Sequence, residues 1–330
     1  MERRPPFIEE SEMDTRGAIR VLTPDEFRAL TRRSDLAGWW AICSTWGVLL
    51  GTLAALARWP HPLTFAVALV ILGGRQLALA ILVHEAAHRT LFQRRFLNDV
   101  VAHWLCAWPL WSSVARYRRH HLEHHKHTGT ERDPDLSLAP IAPMTRASLA
   151  RKFARDLLGV TGIKRLFGQA LMACEIVEYT VTPDVKRRPR DGRRLCDYVW
   201  AASRNSAGFL TINGLLLLGF ALAGHAWVYW AWVIAYLTTF SLFLRIRSLA
   251  EHACTERDPD VLRNTRTTKA SLLARATVAP FAVNYHVEHH LLVAVPWFRL
   301  AALHRVLTER AALSPVPNYL AVLERVTEPP

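Results

Sequence analysis

Histidines grouped at short spacing are the residues of this sequence most able to do chemistry. They form three boxes: HEAAH at residues 84–88, HLEHH at 121–125 and HVEHH at 286–290. Imidazole binds iron, copper, nickel and zinc, and one ion takes four ligands in a tetrahedral site or six in an octahedral one. The boxes hold eight histidines: His84, His88, His121, His124, His125, His286, His289 and His290. Because one ion cannot use eight ligands, the sequence predicts two metal ions.

The spacing within each box suits an α-helix. Residues i and i+4 of a helix lie on one face with Cβ atoms about 5–6 Å apart, so His84 and His88 can point to one site. In the two HxxHH boxes, the first, fourth and fifth residues can supply ligands to two neighbouring ions. Isolated histidines are more often ordinary core or surface residues, and we interpret four in this way: His61, His103, His225 and His304.

Long apolar segments must position the boxes. A helix needs about 20 apolar residues to cross the hydrocarbon core of a membrane, and residues 36–58 and 62–83 meet that length. A second pair follows at 207–223 and 226–244. Only RWPHP and AGHA separate the members of the two pairs, which leaves room for tight turns. The sequence therefore predicts an all-α integral membrane protein with four transmembrane helices in two hairpins.

The arginines predict the orientation of these hairpins. Cytoplasmic segments of membrane proteins carry an excess of Lys and Arg, and Arg58 is the only such residue in the two short turns. Arginines flank the other ends of the spans: Arg32, Arg33, Arg89, Arg94, Arg95, Arg204, Arg245 and Arg247. A multi-pass protein with both termini and all three boxes in the cytoplasm follows. This distribution also accounts for the net charge of +13 without nucleic acid as a partner.

Outside the spans and boxes, we expect no second functional module. Residues 1–35 are highly charged and lack the apolar core of a signal peptide, so we interpret them as a cytosolic N-terminal tail before one domain at 36–330. The five cysteines are scattered without a CxxC pair: Cys43, Cys106, Cys174, Cys196 and Cys254. Disulfides, a fused rubredoxin and an iron–sulfur module are therefore not expected.

A repeated hexapeptide, TERDPD, occurs at 130–135 and again at 255–260, each time shortly after a histidine. An ancient duplication would explain it, and so would the need for a turn after each metal-bearing helix. Proline disfavours helix at the preceding residue, which favours the turn. Asp133 and Asp258 would then cap helices or hold groups beside the metal.

Together the boxes resemble those of the membrane fatty acid desaturase and hydroxylase superfamily. The resemblance rests on HEAAH, on RRHHLEHHKHTG at 118–129 and on NYHVEHHLLVAVPWFRLAALH at 284–304, which is similar to the pattern NxxYHxEHHxxxxVPxxxL. RIRSLAEHA at 245–253 resembles the segment that holds an additional ligand in the family. The similarity covers roughly residues 36–310, and the three-residue spacing in HEAAH is closest to acyl-lipid desaturases.

This resemblance implies a mushroom-shaped, four-span protein whose cytosolic helical cap encloses a histidine-bound diiron centre. Matching positions imply nine ligands: His84, His88, His121, His124, His125, His252, His286, His289 and His290. The implied reaction is O2-dependent desaturation of an acyl chain in a membrane lipid or thioester. No heme-binding HPGG motif is present, so a separate ferredoxin or cytochrome b5 type protein is expected to donate the electrons.

Several polar residues lie within or near the boxes. His120 and His127 lie beyond the family pattern, and we interpret them as supporting or surface groups. Ser248 stands where some relatives have asparagine, which puts a water-mediated contact with the metal in doubt. The glutamate within each box is expected to accept a hydrogen bond from a bound histidine: Glu85, Glu123 and Glu288.

Three alternative functions use the same residues. Hydroxylases and carotenoid ketolases of the superfamily have similar boxes. HEAAH also matches HExxH, the zinc protease motif with glutamate as general base, but a protease would leave six further box histidines without a role. Metal transporters usually bind ions within the spans near the bilayer midplane, whereas these boxes lie at span ends.

Overall fold

The computed structural model describes residues 20–138, 140–178, 187–190, 192–311 and 316–328, and the regular elements in these ranges are helices. The α-helices are α1 (Pro24–Thr31), α2 (Asp35–Arg58), α3 (Pro62–His88), α4 (Val114–His127), α5 (Arg146–Leu157), α6 (Val160–Ala173), α7 (Leu195–Leu222), α8 (Tyr229–Leu237), α9 (Thr239–His252), α10 (Val261–Asn264), α11 (Leu272–Ala276), α12 (His286–Leu291), α13 (Leu300–Ala311) and α14 (Tyr319–Arg325). Between α3 and α4 lie two π-helical segments and a 3-10 turn: Leu97–Val101, His103–Ala107 and Trp108–Leu110.

Within the described ranges, four helical segments are long and apolar enough to cross a membrane, which confirms the predicted number. They contain α2, α3, α7 and, in the segment Ala226–His252, both α8 and α9. Three of the helices extend beyond the predicted spans, because α3 ends at His88, α7 begins at Leu195 and α9 ends at His252. The added residues mix polar and apolar types but include no proline or glycine, so the helical hydrogen bonds continue beyond the apolar runs.

The helix α3 forms the centre of the apolar core, with α2, α4, α8 and α9 packed around it. In its most apolar part, 61% of the residues are buried, against 11% for α7. The leucines of α7 are instead exposed, as at Leu210, Leu215 and Leu222. An exposed apolar face of this length suits contact with lipid.

A close contact joins α3 to α9, the two spans that carry histidines at their ends. Thr239 Oγ1 donates a hydrogen bond to Leu69 O at 2.6 Å, just after an irregular residue, Thr238, that separates α8 from α9. A Cβ atom at residue 73 would collide with Thr239 Oγ1, so Gly73 permits this approach. The contact fixes the relative position of the helices that end at His88 and His252.

Two polar residues within α3 find partners inside the protein. Gln76 is fully buried and its Nε2 donates to Trp232 O at 2.8 Å. Arg75 Nη2 donates to Ala276 O at 2.8 Å. A charged side chain within a span is costly unless it is paired, and this carbonyl supplies Arg75 with a partner.

Short helices near both ends of the described chain pack against each other beside the spans. Leu22 and Leu30 contribute to an apolar cluster with Leu303 and Leu307 of α13, and Arg310 lies 2.6 Å from Glu26. Helix α1, part of the segment interpreted as an N-terminal tail, is therefore packed on α13, while residues 1–19 lie outside the described ranges.

Candidate metal centre

Four helices bring the histidines together. The last turn of α3 carries His84 and His88, α4 carries the second box, α9 ends at His252, and α12 is formed by the third box. All nine histidines implied by the family resemblance fall into three groups of possible metal ligands, two of which share His252.

Cluster A consists of five histidines: His84, His88, His121, His125 and His289. Each offers one ligand atom, and these five atoms lie within 4.8 Å of one another. Nε2 of His125 lies 3.0 Å from Nε2 of His121 and 3.1 Å from Nε2 of His289. Rings from three helices thus meet around one point.

Cluster B joins two groups that share His252, one with His124 and His290 and one with Glu251 and His286, so its histidines are His124, His252, His286 and His290. Nε2 of His286 lies 2.8 Å from Nε2 of His252 and 3.1 Å from Nε2 of His290. The ring of His124 completes the group, with its centroid 5.1 Å from that of His252 and 5.2 Å from that of His290. The stacked rings of His125 and His290, with centroids 4.1 Å apart, lie between clusters A and B.

The two HxxHH boxes contribute to the clusters in a reciprocal way. In α4, His121 and His125 share cluster A, while His124 belongs to cluster B. In α12, His286 and His290 (i and i+4) belong to cluster B. His289 (i+3) belongs to cluster A. Residues i and i+4 lie on one helical face and i+3 is displaced around it, so one helix turn serves both clusters.

The ring nitrogens suit a metal ion better than hydrogen bonds. Two neutral imidazoles that face each other through Nε2 can share at most one proton, whereas two nitrogens bound at right angles about 2.1 Å from one ion are about 3 Å apart. In the described part of the chain, both ring nitrogens of His84 and Nε2 of His88 are buried without a hydrogen-bond partner. The histidines of each cluster therefore fit a metal ion.

Burial keeps most of these rings neutral. Burial and neighbouring imidazoles lower the pKa well below its ordinary value in five histidines outside the spans: His121, His125, His286, His289 and His290. For His124 burial acts in the same direction, but Asp133 and Asp135 outweigh it and raise the pKa of the ring. Neutral imidazole is the form that binds a metal.

In cluster B, the Nδ1 atom of every ring faces an oxygen. Asp133 Oδ1 lies 2.7 Å from His124 Nδ1, and Asn264 O lies 3.2 Å from His252 Nδ1. Two more distant oxygens complete the set, Glu251 Oε1 at 3.6 Å from His286 Nδ1 and Thr128 Oγ1 at 3.4 Å from His290 Nδ1. A proton on Nδ1 leaves the Nε2 lone pair free for a metal.

The three box glutamates differ in role. Glu85 Oε1 lies 3.4 Å from His84 Nδ1 without a hydrogen bond between them, so its expected support of a ligand stays a prediction. Glu288 is buried and instead accepts from Thr267 Oγ1 and His304 Nδ1, both at 2.5 Å. The expectation for Glu123 was wrong, because 61% of its side chain is exposed and the side chain lies near His127, which is outside both clusters.

Glu85 is also held in a way that does not suit a protease general base. Its Oε2 accepts hydrogen bonds from Thr90 Oγ1 at 2.8 Å and from the Trp297 amide at 3.1 Å. A general base must reach the proton of a metal-bound water. Glu85 is buried and its Oε2 is engaged by these two donors, so the geometry does not favour a general base.

The repeated hexapeptide has two different roles. Asp133 contacts His124, as described above, and Asp135 Oδ1 lies 2.7 Å from His120 Nε2. Asp258 instead forms an ion pair with Arg263 at 3.0 Å. Only the first copy therefore supports a histidine that could bind metal.

The roles of two side chains beside the centre, Glu251 and His304, were not predicted from the sequence. Glu251 forms a buried ion pair with Arg247 at 2.7 Å and lies next to His286. His304, interpreted as an ordinary residue, holds Glu288. Glu251 directly precedes His252 in sequence, and this adjacency was the one signal that could have indicated it.

A cavity of about 540 Å³ reaches the centre and is lined by histidines of both clusters: His121, His124, His252 and His286. Tyr117 also lines it and stacks on His121 with ring centroids 5.0 Å apart. The volume lies within the range of pockets that hold small-molecule ligands.

A family model and a known protein are similar to most of this chain. A family model described as "Fatty acid desaturase" matches residues 57–318, which include all three boxes and His252. The chain is also similar to dihydrorhizobitoxine desaturase of Bradyrhizobium elkanii, with 30% identity over 260 residues that cover 76% of this chain and 68% of the relative. Since the family model matches most of the chain, the protein belongs to the fatty acid desaturase family.

Proposed function

We propose that this protein catalyses O2-dependent desaturation of an acyl chain of a membrane lipid or thioester at a centre of two iron ions. The observation that carries this proposal is the division of nine histidines into clusters A and B, with Nε2 atoms at the spacing of metal ligands. The family description and the name of the relative both refer to desaturation, which favours an alkene product over an alcohol or ketone.

The number of imidazoles supports iron over zinc. Structural and catalytic zinc sites usually have four ligands, whereas iron also accepts higher coordination numbers. Cluster A alone offers five histidines. When bound, two irons would activate O2 and supply the oxidising power that removes hydrogen from the substrate. The residues of cluster A would hold one ion and those of cluster B the other.

The protein itself positions the histidine rings and the substrate, and it excludes water from the reacting carbon atoms. The Nδ1 contacts of cluster B fix its rings with Nε2 directed inward. The cavity beside the centre has apolar wall residues that suit a hydrocarbon chain, among them Val83, Leu110 and Phe240. A chain bound against these residues would replace water next to the reacting carbon atoms.

The arrangement in the membrane follows from the spans and their flanking charges. We infer two helical hairpins within one domain at residues 36–330, with a cytosolic cap around the histidines and both termini in the cytoplasm. The apolar helices and the arginines at one set of span ends support this orientation. Electrons would come from a separate ferredoxin or cytochrome b5 type protein on the cytoplasmic side.

The test is to supply a deuterium-labelled acyl chain, a reducing donor and isotopically labelled O2 to the purified protein. Desaturation removes hydrogen from two adjacent carbons and leaves no oxygen in the lipid. Loss of deuterium at both positions is the expected result. Labelled oxygen in the main product would instead identify a hydroxylase or ketolase of the same superfamily.

A further inference from the structure

Helices α5 and α6 form a hairpin beside the fourth apolar segment, Ala226–His252. Leu158 and Gly159 make the turn between them. The two helices have 12 and 14 residues, so neither is long enough to cross a membrane, which takes about 20. Contacts along both helices nevertheless fix the depth of the hairpin relative to the spans.

Helix α5 runs along α9, away from the histidines. Near the start of α5, Leu149 packs in an apolar cluster with Leu249 and Ala253, at the histidine-bearing end of α9. Near the end of α5, Asp156 is fully buried and its Oδ1 lies 2.8 Å from Arg245 Nη2. Arg245 is about one helical turn further from the histidines than Leu249. The end of α5 therefore lies closer to the middle of the span than its start does.

The beginning of α6 meets the middle of the fourth segment. A Cβ atom at Gly162 would lie 2.3 Å from Leu237 O, so glycine allows α6 to touch the backbone at this point. Leu237 stands shortly before Thr239, whose hydroxyl abuts Gly73 near the middle of the apolar run 62–83. The first turn of α6 is thus level with the middle of a membrane-spanning helix.

Helix α6 then returns to the end of α7 from which the hairpin began. Asn205 Nδ2 donates a hydrogen bond to Ala173 O, at the end of α6, over 2.9 Å. Asn205 lies just before the apolar run 207–223 of α7. Trp200, further from that run, is exposed and of the residue type that favours membrane–water interfaces. The hairpin therefore enters and leaves on the same side of the spans.

The outward face of the hairpin is apolar. Leu158 in the turn is 77% exposed and Phe167 of α6 is 66% exposed. Ile163 lies on the same side as Phe167, because i and i+4 residues share one face of a helix. The exposed apolar residues are Leu157, Leu158, Val160, Ile163 and Phe167. A patch of this kind needs a partner, and α6 packs on α7, a helix whose exposed leucines already suit lipid.

Two cations near the turn are compatible with contact between this face and lipid. Lys164 lines the cavity beside the metal centre together with Thr161 and Gly168, which places it on the inner side of α6. Arg155 is exposed near the end of α5. A side chain of this length can place its charge among the headgroups while its methylene groups stay in hydrocarbon.

We infer that α5 and α6 form a re-entrant hairpin in the cytoplasmic half of the bilayer, with its apolar face covered by lipid acyl chains. The hairpin is accordingly a membrane segment and not a part of the cytosolic cap. A single helix, α6, then separates the cavity beside the metal centre from the surrounding lipid. This inference rests on the proposed function for the orientation of the spans, and it does not depend on the reaction.

Spin labels in the metal-loaded full chain, reconstituted in phosphatidylcholine vesicles without an electron donor, test the inference. Nitroxide labels are attached to three variants, Leu158→Cys, Ile163→Cys and Phe167→Cys. The parent protein has its exposed cysteines, Cys43 and Cys196, replaced by alanine, and its own signal is subtracted. The measured quantity is the ratio of two collision rates, one with O2, which concentrates in hydrocarbon, and one with a water-soluble nickel chelate.

At the three positions this ratio should exceed the ratio at Glu309→Cys, an exposed position of α13, by about tenfold or more. The reason is that hydrocarbon excludes a polar complex. Leu215→Cys, on the exposed face of α7, should give a similarly high ratio. Arg146→Cys, exposed at the start of α5, is the matched control within the hairpin and should resemble Glu309→Cys.

Low ratios at the three hairpin positions with a high ratio at Leu215→Cys would place the hairpin in water and overturn the inference, while the spans would stand. Few collisions with either reagent, together with dipolar broadening between labels at Phe167→Cys, would show that a second copy of the chain covers the face, which also overturns it. A low ratio at Leu215→Cys would refute the membrane arrangement and the hairpin together. None of these ratios requires turnover, so failure of the deuterium experiment is a separate result.

Discussion

Clusters A and B achieve similar convergence of imidazoles by different means. Cluster A takes four of its five rings from the long helices α3 and α4. Cluster B takes two rings from the six-residue helix α12 and one from the last residue of α9. Asp133 Oδ1 and Asn264 O restrain two rings of cluster B through the Nδ1 atoms of His124 and His252. The positions of the cluster A rings therefore depend mainly on two long helices. Those of cluster B depend also on the oxygens that face Nδ1.

The largest expected effect is loss of a metal after removal of a ligand confined to one cluster. His88 contacts only rings of cluster A, and His252 only rings of cluster B. His88→Ala and His252→Ala should each lower the bound metal by about one ion per chain and abolish product formation, measured by elemental analysis and by lipid analysis. His225→Ala, in the turn between two spans, is the control and should change neither quantity. Full metal retention by both variants would contradict the division into two sites.

A smaller effect is expected when an oxygen that faces the Nδ1 atom of a cluster B ring is removed. Asp133→Asn removes the carboxylate that faces His124 Nδ1, and loss of such a contact typically weakens metal binding by about 10 to 100-fold. Asp258→Asn is the matched control from the second hexapeptide, since Asp258 pairs with Arg263. Metal affinity measured by competition with a chelator should fall only in the first variant. If both variants lose metal equally, the hexapeptide acts through folding.

The pH dependence of the metal-free protein tests the charge state of the rings. Five rings have a lowered pKa in the folded state, so below about pH 6.5 the unfolded chain binds more protons than the folded one. The free energy of unfolding should therefore decrease as the pH falls through this range, by up to about 1.4 kcal/mol per pH unit for each histidine. His124 acts in the opposite sense, because its raised pKa stabilises the folded state below about pH 6.5.

Denaturant unfolding of the chelator-treated protein at about pH 7.5 and about pH 5.5 measures this dependence. Asp133→Asn should make the loss of stability at the lower pH greater, since it removes the contact that raises the pKa of His124. Equal stability of the metal-free wild type at the two pH values would show that the rings are not held neutral.

The smallest expected effect concerns Glu288, which lies within a box but holds no ring of either cluster. His304→Ala would leave the buried Glu288 without one of its two donors, which should cost about 1–3 kcal/mol of unfolding free energy. Metal content should stay unchanged, and His304→Gln, which restores a donor, should recover part of the loss. A loss of metal in His304→Ala would place Glu288 among the groups that support the centre.

The sequence predicted the number of spans and the grouping of histidines because both depend on local patterns. Apolar runs set the four spans, and i, i+4 spacing places His121 and His125 on one face. The contacts of Glu251 with His286 and of His304 with Glu288 could not be predicted, since they join residues distant in sequence. Glu123 was misjudged for a related reason: its position in a box does not determine whether its face of α4 is turned to the metal or to solvent.

The central claim is that the two histidine clusters hold two iron ions. Elemental analysis of wild-type protein purified from iron-replete cells tests it most directly, with the metal expressed per polypeptide chain. We expect about two irons per chain, since nine converging imidazoles exceed the six ligands of one octahedral ion. One zinc ion per chain and no iron would contradict the assignment of two iron ions to clusters A and B.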